Sequence, residues 1–296
     1  MSKSILIIYT GGTVGMIDAG NGTLLPFDIK NLLLSIPELA KFQFPIESIS
    51  VFEKPLDSSN IGPEEWKIIG KAVADNHEKY SGFVVLHGSD TMAYSASALS
   101  FMFDGLNKPV IFTGSQLPIG DLRTDAKENL ITSIEIACAR KQDKPIISEV
   151  CLYFEYKLYR ANRTTKINAE QFEAFASMNY PPLAESGVHL SFSEHYIYKP
   201  LKDKKELIIR KKLITDVLIL KLFPGITEKV VKSMLSIDGL KGVVLETYGS
   251  GNAPDETWFV TLLKEAIFKD IRIINVTQCN GGHVNQGHYE TSVALK

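Results

Sequence analysis

The stretch Ile5-Leu6-Ile7-Ile8-Tyr9-Thr10-Gly11-Gly12-Thr13-Val14-Gly15-Met16 decides how the rest of this chain is read. Four consecutive branched apolar residues, followed closely by a glycine pair, suit a strand covered on both faces, the kind found in parallel sheets. A hydroxyl just past the carboxyl end of such a strand stands where open α/β sheets bind their ligands. Thr13 is therefore the candidate nucleophile. Glycines at 11 and 12 can adopt backbone angles closed to other residues and bring main-chain N–H groups close to a substrate. Alone, the motif is equally compatible with an ordinary glycine turn, so its meaning depends on what the chain places beside it.

Working outward, the order strand, polar loop, helix recurs. Ile49-Ser50-Val51-Phe52 reads as a strand leading to Pro55-Leu56-Asp57-Ser58-Ser59-Asn60, and Pro63 opens a helix with Glu64 and Glu65 in its first turn. Phe83-Val84-Val85-Leu86 runs into His87-Gly88-Ser89-Asp90-Thr91, after which Met92, Ala96, Leu99 and Phe103 recur at helical spacing. Val110-Ile111-Phe112 leads into Thr113-Gly114-Ser115-Gln116-Leu117-Pro118, and Leu122, Ala126, Leu130, Ile134 and Cys138 line one face of a long helix. Asp28 is expected to cap a helix carrying Ile29, Leu32, Leu33 and Ile36, which Pro37 stops.

This alternation predicts an α/β fold whose larger N-terminal domain holds a mainly parallel, helix-covered sheet. Residues 150–154 read as a further strand and 159–166 as an irregular basic turn. Beyond 176 the periodicity fades, Pro181, Pro182 and Pro200 accumulate, and Lys202-Asp203-Lys204-Lys205 follows. The expected organisation is a catalytic domain at 1–185, a linker at 186–206 and a smaller C-terminal α/β domain at 207–296. In the last, strands are expected at 217–220, 243–245 and 271–276, with helices at about 227–235 and about 255–268.

With 296 residues, 45% of them hydrophobic and 22% charged, the chain is long enough for two domains. Lysine and arginine (32) nearly balance aspartate and glutamate (34), so no global field draws nucleic acid or an acidic membrane, and the expected partner is a small molecule. Cys138, Cys151 and Cys279 are odd in number and lack C-x-x-C spacing. They fit a reducing compartment, read as structural thiols and give no metal pattern. No apolar run approaches a membrane span or a signal-peptide core, so the cytoplasm is the expected location.

Three loops at the carboxyl ends of expected strands offer hydroxyls or a carboxylate: Thr13, then Asp57-Ser58-Ser59, then Ser89-Asp90. In a parallel sheet these ends share one edge, so the loops can converge on a single crevice. A carboxylate there would bind an ammonium group and hydroxyls would grip a carboxylate, which describes an amino-acid pocket. A threonine hydroxyl is a poor nucleophile and needs a base. Lys166, at the end of Asn162-Arg163-Thr164-Thr165-Lys166, is the candidate, placed to pair with Asp90 and reach Ser89. The competing readings are a solvated surface lysine and, for Asp90, a helix cap. His87 reads as a positioned structural histidine, and His283 and His288 as surface residues.

Together, Thr10-Gly11-Gly12-Thr13, Asp57-Ser58-Ser59, His87-Gly88-Ser89-Asp90-Thr91 and Thr164-Thr165-Lys166 resemble bacterial L-asparaginases, in particular the cytoplasmic type I group. The resemblance extends through Tyr248-Gly249-Ser250-Gly251-Asn252-Ala253-Pro254 and Asn275-Val276-Thr277-Gln278-Cys279. It implies hydrolysis of L-asparagine to L-aspartate and ammonia, with Thr13 attacking the side-chain amide and water then cleaving a β-aspartyl ester. It also implies that Lys166 and Ser89 form a proton relay together with Asp90, that Asp90 holds the substrate's α-ammonium and that Ser58 holds its α-carboxylate. Gly12, Asp57, Ser59 and Gly88 complete the implied pocket, and main-chain N–H groups near Gly12 and at Ser89 are the implied oxyanion site. A homodimer or homotetramer, with Asn252 reaching across the interface, is implied as well, and neither a metal nor an organic cofactor is.

The sequence departs from that family in four places. Ser89 stands where the family carries threonine, losing the β-methyl that stiffens the rotamer. No tyrosine lies between Ile17 and Pro26, around Gly22-Thr23-Leu24-Leu25, where the family has the one that orients the nucleophile. Glu246 replaces an arginine of the family's allosteric asparagine site, beside Thr165 and Cys279, so that pocket is expected to be vestigial. Lys296 comes some tens of residues early, and closing helices are expected to be missing. The same motifs recur in relatives acting on glutamine, on D-asparagine, or on amidated peptides or transfer RNA, and an amino-acid-binding sensor without turnover is the reading from a different class.

Overall fold

The structure, a computed structural model, describes residues 4–18, 24–26, 29–34, 36–200 and 206–285. The expected cap Asp28, the Gly22-Thr23 pair, the 202–205 charge run and His288 lie outside them. The chain forms two compact units, Met1–Lys211 and Lys212–Lys296.

The first unit is built on an eight-stranded sheet. Its strands are β1 (Ile5–Tyr9), β2 (Ile46–Ser50), β3 (Gly82–Leu86), β4 (Val110–Thr113), β5 (Val150–Phe154), β6 (Lys157–Arg160), β7 (Ala184–Ser186) and β8 (Leu190–Phe192). They lie in the order β8-β7-β6-β5-β4-β3-β1-β2. From β5 to β2 all neighbours are parallel, and β6, β7 and β8 extend the sheet antiparallel. Every residue of β1, β3, β4 and β5 is buried. Their uninterrupted apolar runs match strands covered on both faces, where alternation would leave polar groups without water.

Register fixes where the loops emerge. Tyr9 pairs with Leu86 and with Ser50, and Leu86 pairs with Thr113, so the chain leaves β1, β2, β3 and β4 at one edge. Among the described residues this unit has the α-helices α1 (Ile29–Leu34), α2 (Pro63–Asp75), α3 (Met92–Met102) and α4 (Ala126–Cys138). Pro63 opens α2 as expected, and the Glu65 carboxylate accepts the Gly62 N–H at 2.9 Å, closing the first turn. Trp66 donates its indole N–H to Ser95 Oγ at 2.9 Å, joining α2 to α3. Leu130 and Ile134 of α4 enter the same core as Ile5, Ile7, Val84 and Ile111.

Several local expectations are corrected. The second strand lies at Ile46–Ser50, earlier than the 49–52 reading. Leu122 fits the helical spacing yet is fully exposed, because α4 starts only at Ala126, with Asp125 as its N-cap residue. Residues 159–166 are not an irregular turn. Glu155 and Tyr156, at φ 46° and 65°, make the tight turn that folds β6 back on β5, and Thr165–Lys166 then pairs with Phe175–Ala176. Phe103, read as helical, leaves α3 to pair with Ile209. The strand β8 lies within the segment 186–206 that loses periodicity in the sequence.

The second unit has three parallel strands, β9 (Val217–Lys221), β10 (Gly242–Thr247) and β11 (Arg272–Thr277), with helices α5 (Glu228–Leu235) and α6 (Thr257–Phe268). Leu220, Val231, Val243, Leu245, Phe259 and Leu263 form its core. Thr227 caps α5, its side chain accepting the Val230 N–H at 3.4 Å. The result is an α/β fold in both units. Among the described residues no helix is long and apolar enough to cross a membrane.

Candidate active site

At the shared strand edge the loops meet backbone to backbone. Thr10 donates both its N–H (3.0 Å) and its hydroxyl (2.9 Å) to the Leu86 carbonyl, which ties the end of β1 to that of β3. Leu56 N–H reaches Thr10 O at 2.9 Å and Gly12 N–H reaches Leu56 O at 3.2 Å, which brings in the loop after β2. The glycines are needed here. Gly11 and Gly12 have φ of 129° and 86°, and a Cβ on Gly12 would lie 2.4 Å from the Gly88 nitrogen. A Cβ on Gly88 would in turn stand 2.7 Å from Ser58 Oγ. Gly12, Gly88 and Ser58 are thus brought together from three loops, as the sequence pattern implied.

Thr13 starts a short 3-10 turn, Thr13–Gly15, and is half-buried. Its hydroxyl has no hydrogen-bond partner among the described residues. Beneath it, Tyr9 OH donates to Gly15 O at 3.3 Å, so the turn rests on a buried phenol. Ser58 is buried, and its carbonyl accepts the Thr91 hydroxyl at 2.6 Å, linking the second loop to the start of α3. Asp57 accepts both the hydroxyl (2.6 Å) and the N–H (2.8 Å) of Ser59, and these bonds hold its carboxyl below the usual range. Asp57 and Ser59 are therefore spent on each other, shaping the turn that presents Ser58.

Ser89, Asp90 and Lys166 come together. Lys166 Nζ lies 2.9 Å from Ser89 Oγ and 2.7 Å from Asp90 Oδ1. The lysine side chain is only 16% exposed, against 71% for Asp90, so the solvated-surface reading of Lys166 does not hold. Nor does Asp90 cap α3: Thr91 occupies the N-cap position without a side-chain cap bond, and the Asp90 carboxylate faces Lys166.

Sequence reasoning gave Gln116 no role, although its loop leaves β4 at the same edge. Its Oε1 accepts the Ser89 hydroxyl at 3.1 Å, and its Nε2 donates to Ala169 O (3.2 Å) and Gln171 O (3.0 Å). Asp125 anchors that loop from below, accepting the Gln116 and Leu117 N–H groups and the Asn129 amide at 3.0–3.1 Å. Burial nonetheless pushes the Asp125 carboxyl above its ordinary range. His87 is fully buried, its Nδ1 2.8 Å from Gly88 O, and burial pulls its pKa down to about 4. A neutral ring that is out of reach of solvent matches the structural reading of His87.

The remaining expected site residues are Asn252, Thr165, Glu246 and Cys279. Asn252 belongs to the second unit, in a turn closed by reciprocal main-chain bonds with Tyr248 at 2.9 Å. Thr165 is exposed in the first unit, whereas Glu246 and Cys279 belong to the second. Glu246 Oε2 lies 3.6 Å from Lys221 Nζ, a neighbouring cation that the sequence did not reveal. None of the three cysteines is in a disulfide. Cys138 and Cys151 are buried as structural thiols should be, but Cys279 is exposed, which corrects that reading for it. His283 is exposed. Among the described residues no group of His, Cys, Asp and Glu is arranged to hold a metal ion.

Comparison with known proteins bears on the family of the chain. The family model "Asparaginase, N-terminal" matches residues 4–198, and "Glutaminase/Asparaginase C-terminal domain" matches residues 216–296. The chain is 41% identical over 295 residues to L-asparaginase 1 of Escherichia coli K12, covering 99% of this chain and 85% of that one. It is 36% identical over 315 residues to the mouse 60 kDa lysophospholipase, covering 99% of this chain but 54% of that longer protein. The crystal structure of L-asparaginase I from Vibrio cholerae superposes with a TM-score of 0.89 at 37% identity, covering 100% of this chain and 87% of that one. With both family models matched in order along its length, the chain belongs to the asparaginase family.

Proposed function

We propose that this protein is an L-asparaginase that uses Thr13 as nucleophile and Ser89 with Lys166 as proton relay. The observation that carries the reading is the meeting of Lys166 Nζ with Ser89 Oγ and Asp90 beside the Gly12–Gly88 contact. Thr13 Oγ1 attacks the side-chain carbonyl carbon of asparagine, and its proton is taken up by the relay of Ser89 Oγ and Lys166. The oxyanion that forms is held by main-chain N–H groups. Gly12 N–H is committed to Leu56 O, whereas those of Thr13 and Ser89 have no protein acceptor among the described residues, so they are the donors.

Collapse of the adduct breaks the carbon–nitrogen bond, and ammonia leaves with the proton returned by the relay. Water then attacks the β-aspartyl ester on Thr13, giving a proton to the relay, and aspartate departs as Thr13 regains its own. Asp90 gives one carboxylate oxygen to Lys166 and keeps the other for the substrate's α-ammonium, while Ser58 receives the α-carboxylate. We further place the protein in the cytoplasm as a homodimer or homotetramer with Asn252 at a neighbour's pocket. Its three cysteines, none in a disulfide, and its balanced charge support the compartment.

Thr13→Ala tests the assignment. The side chain lies in a loop and its loss opens no core cavity, so the variant should fold and bind aspartate while ammonia release from asparagine disappears. Turnover comparable to the wild type would overturn the reading.

A further inference from the structure

The His87 imidazole is fully buried, lies against Phe112 with ring centroids 5.9 Å apart, and takes no part in the proton relay described above. Its Nδ1 sits 2.8 Å from the Gly88 carbonyl oxygen. A carbonyl only accepts, so Nδ1 must carry the proton and Nε2 must be bare. That Nε2 is buried with no partner among the described residues, which leaves the bond to Gly88 as the ring's one polar task.

The Gly88–Ser89 peptide is trans, and a planar trans unit points its N–H opposite to its C=O. A carbonyl drawn toward the buried ring therefore turns the Ser89 N–H away from that ring, and at Gly88 the same loop packs closely against Gly12 and Ser58. The preceding N–H, that of His87, is fixed to Thr113 O at 2.9 Å, so the loop is pinned on both sides of the glycine. Gly88 itself has no side chain to limit rotation of this peptide.

We propose that His87 is a positioning residue: its Nδ1–H holds the Gly88 carbonyl inward and so aims the Ser89 N–H at the developing oxyanion. This rests on the reading of Thr13 and Ser89 given under the proposed function. The depressed basicity of the ring follows from the same burial and keeps the donor in one tautomer, without a competing charged form, over the neutral range.

The test is a set of substitutions assayed by ammonia release from asparagine, with aspartate binding and thermal unfolding as folding controls. Asparagine places an amide N–H close to where Nδ1 stands, glutamine places it near Nε2, and leucine fills the space with no donor. The expected order of kcat is wild type, then His87→Asn within about threefold, then His87→Gln and His87→Leu lower by about tenfold to a hundredfold. That is less than the 10²–10³ typical of losing an oxyanion donor outright, because the N–H is misaimed rather than removed. KM should change by less than about threefold in all, since the ground-state contacts are untouched.

A packing role gives the opposite order, with His87→Leu ahead of the smaller, polar His87→Asn, and that result would overturn the proposal. Should His87→Leu not fold, the Asn and Gln variants decide alone: equal kcat for the two refutes the positioning role. Thr13→Ala runs beside them. Undiminished turnover there would refute the nucleophile, whereas a dead Thr13→Ala with indifferent His87 variants would refute only the role of His87.

Discussion

Replacing Lys166 by methionine separates catalysis from stability at this site. Methionine keeps an unbranched stem of similar length, so the packing of a side chain that is 16% exposed is largely preserved. What disappears is the amine 2.9 Å from Ser89 Oγ and 2.7 Å from Asp90. The ion pair is open to solvent on the aspartate side, where exposure is 71%, so it contributes at most about 1 kcal/mol to folding. For a chain of this size that is a shift of about 2–4 °C in Tm. Loss of a general base costs about 10²–10⁴ in rate, roughly 2.7–5.4 kcal/mol of barrier. The kinetic effect therefore exceeds the stability effect by several-fold. Ammonia release at saturating asparagine should fall by that factor while the unfolding temperature barely moves. In the proposed relay Lys166 and Ser89 act as one unit, so the Lys166→Met/Ser89→Ala double variant should be no slower than the slower single one. A kcat for Lys166→Met within about threefold of wild type would refute the relay, and so would fully additive losses in the double variant.

Ser89→Thr should keep or raise kcat, because the hydroxyl stays and the β-methyl limits its rotamers, whereas Ser89→Ala should be strongly impaired; equal rates for all three proteins would reduce position 89 to a spacer. Asp125 carries a carboxyl pushed up by burial, so between the ordinary carboxylate value and its own the folded state binds more protons than the unfolded one. Stability should therefore fall as pH rises through that window in the wild type but not in Asp125→Asn, and parallel denaturation curves for the two from about pH 4 to about pH 8 would contradict this. Finally, Glu246 would oppose the carboxylate of an asparagine bound beside it, and its neighbour Lys221 is already paired with it, so rates across a wide asparagine range should be hyperbolic; a sigmoid abolished by Glu246→Ala would show that this region does bind asparagine.

The sequence alone determined the parallel core and the edge on which the chemistry stands. Runs such as Ile5-Leu6-Ile7-Ile8 and Phe83-Val84-Val85-Leu86 are local signals, because burial on both faces removes the need for polar alternation and glycine or polar loops mark where each strand ends. Thr13, Ser58, Ser89 and Asp90 were legible for that reason, and Lys166 only as one lysine among several readings. Local pattern misjudged Leu122, because helical spacing continues past the point where Asp125 turns back to hold Gln116 and Leu117. It also missed the two-residue turn at Glu155-Tyr156, whose positive φ angles fall on residues that seldom adopt them. Only the tertiary structure decided that Lys166 meets Ser89 across 77 positions of chain, that Gln116 takes the Ser89 hydroxyl, and that His87 gives its Nδ1–H to Gly88. Hydrophobic burial is written in short-range periodicity, but directional bonds need two groups placed within about 3 Å, and strand order and register set that placement.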